Sequence, residues 1–190
     1  MRKRAFTEVV VSDYEKFKVL AKAHFCTGMA KNEVQMLVPL FHSYHIDPGT
    51  DVYEEGDTES FLCLIVSGAV DVYVGYGMPS EKVISTLGPG ETVGEMSVID
   101  ELPRSASVVA NSETILYALT RRSLVELSNS SPGLWSKLIF NIAVSLCHRL
   151  RQANDMLADA LDGNDTQASP SMSPSSSTLH KQPFLKAVET

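Results

Sequence analysis

The segment Val93-Gly-Glu-Met-Ser-Val-Ile-Asp-Glu-Leu-Pro-Arg-Ser-Ala-Ser-Val108 is the most informative stretch of this chain. It places an acid, Glu95, and a base, Arg104, nine positions apart. Gly94 lets the backbone approach a ligand closely, because it has no side chain. A carboxylate only accepts hydrogen bonds, whereas a guanidinium offers a planar fork of donors. The pair therefore suits a ligand that carries both a hydroxyl group and an anionic oxygen, and we expect both side chains to line one cavity.

The residues between the two charges favour the same kind of ligand. Residues 96–101 fit one short helical turn whose free N–H groups, including those of Met96 and Ser97, suit an anion. Pro103 lacks an N–H and is expected to end that turn. After Arg104, the Ser105 hydroxyl and the Ala106 N–H offer two further donors.

Composition restricts the classes of protein to consider. The chain has 190 residues, 44% of them hydrophobic, which is enough for one domain with a core and a tail. The net charge of −7 argues against a general nucleic-acid binder. The three cysteines are far apart in sequence and odd in number, so a reducing cytoplasm is expected. The histidines show no metal-ligand spacing, and neither a secretory signal nor a membrane-spanning run is predicted.

Four segments of different character follow one another along the chain. Residues 1–41 contain two predicted helices, the first capped by Ser12 and the second by Asn32. Residues 42–131 consist of short apolar strands separated by glycine turns, with the segment 93–108 inside them. This pattern predicts a mainly β domain, an antiparallel β-roll of the jelly-roll type with flanking helices.

The pattern returns to a long helix over residues 132–161. Its apolar residues recur at alternating spacings of four and three, which is typical of a coiled-coil seam. The seam residues are Ile139, Ala143, Leu146, Leu150, Ala153, Leu157 and Ala160. Residues 162–190, rich in serine and proline, are predicted to be a disordered tail.

These residues resemble the cyclic nucleotide-binding domain family. The resemblance is carried by the Gly94-Glu95 pair and by the run from Pro103 to Ala106, and it covers about residues 31–158. Upstream, the glycine-punctuated motifs at 56–57, 64–68 and 87–90 also match the family pattern. The resemblance implies a cyclic nucleotide as ligand, an antiparallel β-roll and a final helix that covers the base.

The resemblance assigns expected roles to individual residues. Glu95 would bind the ribose, and Arg104 with Ser105 would bind the cyclic phosphate. Ile84 and Val93 would form an apolar wall. One position on the last helix remains open, since Asn154 either contacts the base or is solvated. Arg149 is interpreted as a surface or seam-flanking charge and not as a ligand group. The residues favour cyclic AMP without excluding cyclic GMP, because the residue at position 105 does not decide between them.

The expected function is that of a sensor and not of an enzyme, since no catalytic motif is visible. We expect a cytoplasmic, stand-alone module that relays binding through its last helix to a second copy, along the 139–160 seam, or to an unknown protein partner. Direct DNA binding and membrane association are not expected. The alternative is a structural or adaptor module of the same fold that binds no nucleotide.

Overall fold

A computed structural model describes residues 6–165 of the chain. The helices are α1 (Asp13–Leu20), α2 (Lys31–Leu37), α3 (Glu95–Asp100), α4 (Arg121–Ser130) and α5 (Pro132–Asp165). The strands are β1 (Phe6–Glu8), β2 (Phe41–Ile46), β3 (Asp51–Tyr53), β4 (Phe61–Ser67), β5 (Val70–Val74), β6 (Lys82–Leu87), β7 (Thr92–Val93), β8 (Ser107–Ala110) and β9 (Thr114–Thr120). None of the helices in this part of the chain has the length and apolar character that crossing a membrane requires.

The strands form two antiparallel sheets. One sheet has five strands in the order β1-β2-β9-β4-β7, and the other has four in the order β3-β8-β5-β6. Strands that neighbour each other in a sheet are mostly distant in sequence, as β4 and β9 are. The predicted antiparallel β-roll with flanking helices is confirmed.

Strand β4 shows why the pattern of residues 42–131 produces two packed layers. Its side chains alternate between two hydrophobic clusters, because successive residues of a strand point to opposite faces. Leu62 and Leu64 pack in the cluster that contains the helices. Cys63 and Ile65 pack in the cluster that contains residues of both sheets. Both faces of β4 are therefore buried, which explains its continuous apolar sequence.

Of the two predicted N-cap residues in the helices before the roll, one is confirmed and one is not. Ser12 caps α1 as predicted, since its hydroxyl accepts a hydrogen bond from the Glu15 N–H at 3.3 Å. The prediction that Asn32 caps α2 is wrong. The N-cap is Ala30, whose N–H donates to the Glu33 carboxylate at 2.8 Å. The acidic side chain at the third helical position thus provides the terminal contact.

Helix α5 begins at Pro132, where the missing N–H costs nothing. Within the unit formed by residues 1–150, Leu134, Leu138 and Ile142 are its buried contacts with the core. Ile139 and Leu146, two residues of the predicted seam, also pack against this core. The first part of the seam therefore packs within the chain, while Phe140 and Val144 are exposed.

The second unit begins at Arg151, and α5 continues in it to Asp165. The helix thus extends four residues past its predicted end at 161. Residues 166–190 lie outside the described part of the chain, so the disordered tail stays a prediction for them.

Two histidines of β2 have carboxylate partners that the spacing of residues in the sequence does not reveal. The Nδ1 of His42 lies 3.3 Å from the Glu8 carboxylate, and the Nε2 of His45 lies 3.0 Å from that of Glu113. The partners lie on or beside the strands that flank β2. Each contact is an ion pair only when its imidazole is protonated, and pairs at such partly exposed positions contribute little to stability.

The three cysteines differ in their environment, and we predict different rates of alkylation. Burial raises the pKa of the Cys26 and Cys63 thiols to about 12, whereas Cys147 is exposed. At pH 8, iodoacetamide should modify Cys147 quickly and the other two only after denaturation, because the thiolate is the reactive form. Peptide mass spectrometry over time measures the rates. Similar rates at all three thiols in the folded protein would contradict the packing described here.

Candidate functional site

The site is built around a left-handed turn between β7 and α3. Gly94 has a φ of +83°, a conformation that side chains disfavour, and it forms the N-cap of α3. A Cβ at this position would lie 2.5 Å from Arg104 Nη1 and 2.6 Å from the Phe61 carbonyl oxygen. Gly94 is therefore required for its backbone angle and for the space it leaves to Arg104.

The short helix after Gly94 matches the predicted turn closely. It spans Glu95–Asp100, and so begins one residue before the predicted start. It ends before Pro103, because Glu101 adopts a left-handed φ of +62°. The prediction that Pro103 ends the turn is therefore wrong: the chain has already left the helix two residues earlier.

The backbone of Arg104 is fixed by the turn that follows β3. The Arg104 N–H donates to the Asp57 carbonyl oxygen, and the Gly56 N–H donates to the Arg104 carbonyl oxygen, each at 2.8 Å. This reciprocal pair explains the physical importance of the Gly56-Asp57 motif. It brings the segment after α3 against a turn almost fifty residues earlier in the chain.

The Arg104 side chain points into the protein, and the residue is only 4% exposed. Its Nη1 donates to the Gly94 carbonyl oxygen at 3.0 Å and to Ser97 Oγ at 2.6 Å. Its Nη2 donates to the Phe61 carbonyl oxygen at 2.9 Å. Its buried Nε has no hydrogen-bond partner within the described residues. A buried donor without a partner is costly, so this atom marks a position where an acceptor would be stabilised.

Two aromatic rings enclose the same guanidinium. Its central carbon lies 4.0 Å from the centroid of the Tyr53 ring and 4.4 Å from that of Phe61. Burial lowers the pKa of Arg104, although an arginine so far above neutrality keeps its charge. Burial also raises the pKa of Tyr53, so that its hydroxyl stays neutral. The positive charge of Arg104 is therefore stabilised by the dipoles of its hydrogen-bond acceptors and by the π-electrons of the two aromatic rings.

The second predicted charge, Glu95, is also buried, with 3% exposure. Its carboxylate accepts a hydrogen bond from the Thr92 hydroxyl and forms an ion pair with Arg149 of α5. Arg149 also donates to the Thr92 carbonyl oxygen at 3.0 Å. The interpretation of Arg149 as a surface charge is thus wrong: its side chain is 33% exposed and completes the site. A residue far along the chain supplies the charge that compensates for the burial of Glu95.

The remaining predicted residues divide into buried and exposed groups. Ser97 and Ala106 are buried, whereas Met96 and Ser105 are exposed and touch each other through Ser105 Oγ and Met96 Sδ at 3.8 Å. Their contacts with a ligand stay predictions.

Three other predicted positions lie outside this cluster of contacts. Val93 is buried in the hydrophobic cluster that contains residues of both sheets. Ile84 is 53% exposed on β6, where the register with β5 shifts so that Ile84 has no partner residue in β5. Asn154 is exposed in the second unit of the chain. Their roles as an apolar wall and as a base contact stay predictions.

Four residues of the site were not found from the sequence: Tyr53, Phe61, Thr92 and Arg149. Phe61 appears in the sequence as an ordinary residue of an apolar strand, and no motif distinguishes Tyr53 or Thr92. A weak signal existed only for Arg149, because it lies on the helix that the family resemblance places over the base.

A cavity of about 340 Å³ opens beside the Glu95 ion pair. It lies between the segment 24–27, the loop 90–92 and the face of α5 that carries Asn141, Ser145 and Arg149. Thr92 and Arg149, the two partners of Glu95, line this cavity, whereas neither Glu95 nor Arg104 does. The expectation that both charges line one cavity is therefore not met here: each side chain is instead turned inward onto protein partners.

Comparison with known proteins agrees with this geometry. The family model for the cyclic nucleotide-binding domain matches residues 44–131. Over 127 residues the chain is 35% identical to the cyclic AMP receptor protein of Thermus thermophilus, covering 67% of this chain and 57% of that protein. It is 27% identical over 146 residues to a CRP-like cAMP-activated global transcriptional regulator of Mycobacterium tuberculosis, covering 76% of this chain and 62% of that one.

A solved structure shows the same architecture. The crystal structure of a cyclic nucleotide-binding domain from Methylobacillus flagellatus superposes with a TM-score of 0.74 at 28% identity, covering 82% of this chain and 89% of that one. The chain spans only about three fifths of the length of the Thermus thermophilus and Mycobacterium tuberculosis proteins above.

We predict that Gly94→Ala destabilises the protein more than Gly90→Ala. Both glycines have a positive φ, but a Cβ at Gly90 meets nothing within 4 Å, whereas one at Gly94 meets Arg104 and Phe61. The strain of the backbone angle should cost about 1 kcal/mol in each variant, and the steric conflict about 2 kcal/mol more in the first. Urea unfolding measures both free energies. Equal losses would show that Arg104 does not lie against Gly94.

We also predict strong coupling between Glu95 and Arg149. Arg149→Ala should lower the free energy of unfolding by about 2 kcal/mol, because it leaves a buried carboxylate without its cation. In a Glu95→Gln background the same substitution should cost less than about 1 kcal/mol. A double-mutant cycle by urea unfolding measures the coupling. Additive losses would mean that the two side chains do not interact in solution.

Proposed function

This chain belongs to the cyclic nucleotide-binding domain family through residues 44–131, and we propose that it is a sensor whose ligand is a cyclic nucleotide. The observation that carries the proposal is the inward placement of Glu95 and Arg104 on either side of one turn. In this proposal Glu95 accepts a hydrogen bond from the ribose hydroxyl and Arg104 donates to the exocyclic phosphate oxygens.

The residues around the two charges support the proposal. The chain buries an arginine and a glutamate in its core, although burial of such charges is costly unless they are compensated. The unpartnered Nε–H of Arg104 is a donor that a phosphate oxygen would satisfy. On the other side, the Glu95 carboxylate keeps acceptor capacity beyond Thr92 and Arg149, since two oxygens offer about four lone pairs.

We propose cyclic AMP as the nucleotide, with cyclic GMP as the alternative. The proposal rests on the names of the two bacterial relatives above, one a cyclic AMP receptor and the other activated by cAMP. It also depends on groups that contact the base, among which Asn154 is the candidate in this sequence.

The proposed output is a change in helix α5. Arg149 joins α5 to Glu95, so a ribose hydroxyl at Glu95 would compete with or add to this ion pair. Binding would then shift the balance between two positions of α5 by the difference in affinity for them. The exposed side chains of Phe140, Val144 and Cys147 recur along one face of α5 and support contact with a second copy or with a partner protein.

The proposed module is a cytoplasmic ligand sensor without catalytic activity of its own. Its three free cysteines, two of them buried, are consistent with a reducing compartment.

The alternative of a non-binding adaptor predicts that neither nucleotide binds. Sedimentation velocity with and without cyclic AMP distinguishes a homodimer from a monomer that needs another protein.

We predict that isothermal titration calorimetry detects binding of cyclic AMP that depends on Arg104. Arg104→Ala should weaken binding by about 30- to 150-fold, which corresponds to loss of about 2–3 kcal/mol of charge-assisted hydrogen bonding. The matched control is Arg122→Ala, since Arg122 is exposed and pairs with Glu126 on the same helix. This control should bind as the parent does.

Three other calorimetric results would contradict parts of the proposal. If the parent chain gives no heat with cyclic AMP or cyclic GMP at concentrations well above micromolar, the proposed function is wrong and the adaptor is favoured. If cyclic GMP binds more tightly, the proposed nucleotide is wrong. If Arg104→Ala remains folded by circular dichroism and binds like the parent, the phosphate contact lies elsewhere.

A further inference from the structure

We propose that Tyr53, Phe61 and Ser97 are positioning residues that fix the orientation of the Arg104 guanidinium, so that one chosen edge of it faces an anion. This inference rests on the proposed function for the identity of the anion, a cyclic phosphate. The orientation itself is a property of the protein and can be measured without a nucleotide.

The hydrogen bonds of Arg104 commit three of its five N–H donors. Both hydrogens of Nη1 are used, one by the Gly94 carbonyl oxygen and the other by the Ser97 hydroxyl oxygen. One hydrogen of Nη2 is used by the Phe61 carbonyl oxygen. Within residues 6–165, two donors remain without a partner, the Nε–H and the second hydrogen on Nη2. Two is the number that a bidentate contact with an anion requires.

The aromatic rings restrict the plane of the same group. Tyr53 belongs to the four-stranded sheet and Phe61 to the five-stranded sheet, and their rings meet edge to face with centroids 6.0 Å apart. The guanidinium lies within 4.4 Å of both centroids. Rotation about its side-chain bonds would break contacts to two different sheets at once. The rings therefore hold the plane, while Ser97 and the carbonyl oxygens hold the rotation within that plane.

Ser97 is the one side-chain hydrogen-bond partner of Arg104 in the described residues. Its hydroxyl is buried, and it also lies 3.3 Å from the Gly94 carbonyl oxygen. This position gives Ser97 a different role from the one expected from the sequence. It acts through Arg104 and not by direct contact with the nucleotide.

The first test observes the guanidinium directly by NMR in the absence of nucleotide. In the parent, Arg104 should show separate Nη proton signals, because three hydrogen bonds and two rings slow rotation about the Cζ–Nη bonds. In Ser97→Ala and Tyr53→Leu these signals should merge or broaden. Ser97→Thr and Tyr53→Phe, which keep the hydroxyl and the ring, should behave as the parent. Arg104→Lys assigns the signals.

The second test measures affinity for the two phosphorothioate diastereomers of cyclic AMP, in which sulfur replaces one or the other exocyclic oxygen. A fixed guanidinium edge should discriminate between them by about tenfold, because charge-assisted hydrogen bonds depend on the acceptor atom and its direction. In Ser97→Ala the ratio of the two Kd values should fall to about twofold or less. If Ser97→Ala only disturbed the packing of the protein, it would weaken the binding of both diastereomers equally and leave the ratio of their Kd values unchanged.

Ser60→Ala is the matched control. Ser60 Oγ donates to the Ser97 carbonyl oxygen at 2.7 Å, so its hydroxyl tethers α3 through the backbone of Ser97 and not through the Ser97 hydroxyl that binds Arg104. This variant should keep both the NMR signals and the diastereomer ratio of the parent. Tyr44→Leu, which removes a half-buried tyrosine elsewhere in the roll, serves in the same way for Tyr53→Leu.

The outcomes separate the two proposals. If the parent binds neither diastereomer, the proposed function fails, and the NMR signals still decide whether Arg104 is positioned. Freely rotating Arg104 signals in the parent would overturn the positioning role. An unchanged diastereomer ratio in Ser97→Ala would overturn it as well, and should Tyr53→Leu not fold, Ser97→Ala alone decides.

Discussion

A positive charge, the guanidinium of Arg104, is held almost completely out of water, and the arrangement of the site follows from the need to compensate it. Three protein acceptors and two aromatic rings surround the group. They come from β3, from the start of β4, and from the turn and helix after β7. Since a buried charge tolerates few alternatives, each of these elements must sit in one place. Gly94 shows the constraint most directly, because a Cβ there would overlap the guanidinium.

The buried negative charge of Glu95 must also be compensated, and here the compensating group is a cation. Glu95 is as deeply buried as Arg104, yet its cation, Arg149, comes from helix α5. The state of the site is thereby linked to the position of a helix that follows the roll. The same stretch of α5 packs Leu138 and Ile142 into the core, so this link is continuous with the packed interior. Such a contact gives a physical route from ligand to helix in the proposed sensor.

Much of the fold was predictable because local chemistry and long-range packing agree. The alternation in β4 and the glycine turns specify strands wherever both faces are covered. Ser12 was predictable as a cap because a hydroxyl before a helix has few other partners. The N-cap of α2 was not predicted correctly at Asn32, because the helix begins one residue before that position, and Glu33 accepts a hydrogen bond from the N–H of Ala30. The spacing of the helical seam left its packing partner open, because apolar residues three and four positions apart suit a helix packed on its own core as well as a coiled coil.

The amino-acid sequence by itself determined that a glycine, an acid and a base stand close together in one turn and short helix inside a β-roll. That information is local, because the turn and the short helix are formed by neighbouring residues. Only the tertiary structure decided what each charge touches. Arg104 and Glu95 contact Tyr53, Phe61 and Arg149, which lie tens of residues away in sequence. The periodic pattern of apolar residues does not predict such contacts. Partners of this kind are set by sheet order and helix packing, which bring distant segments together after the local structure has formed.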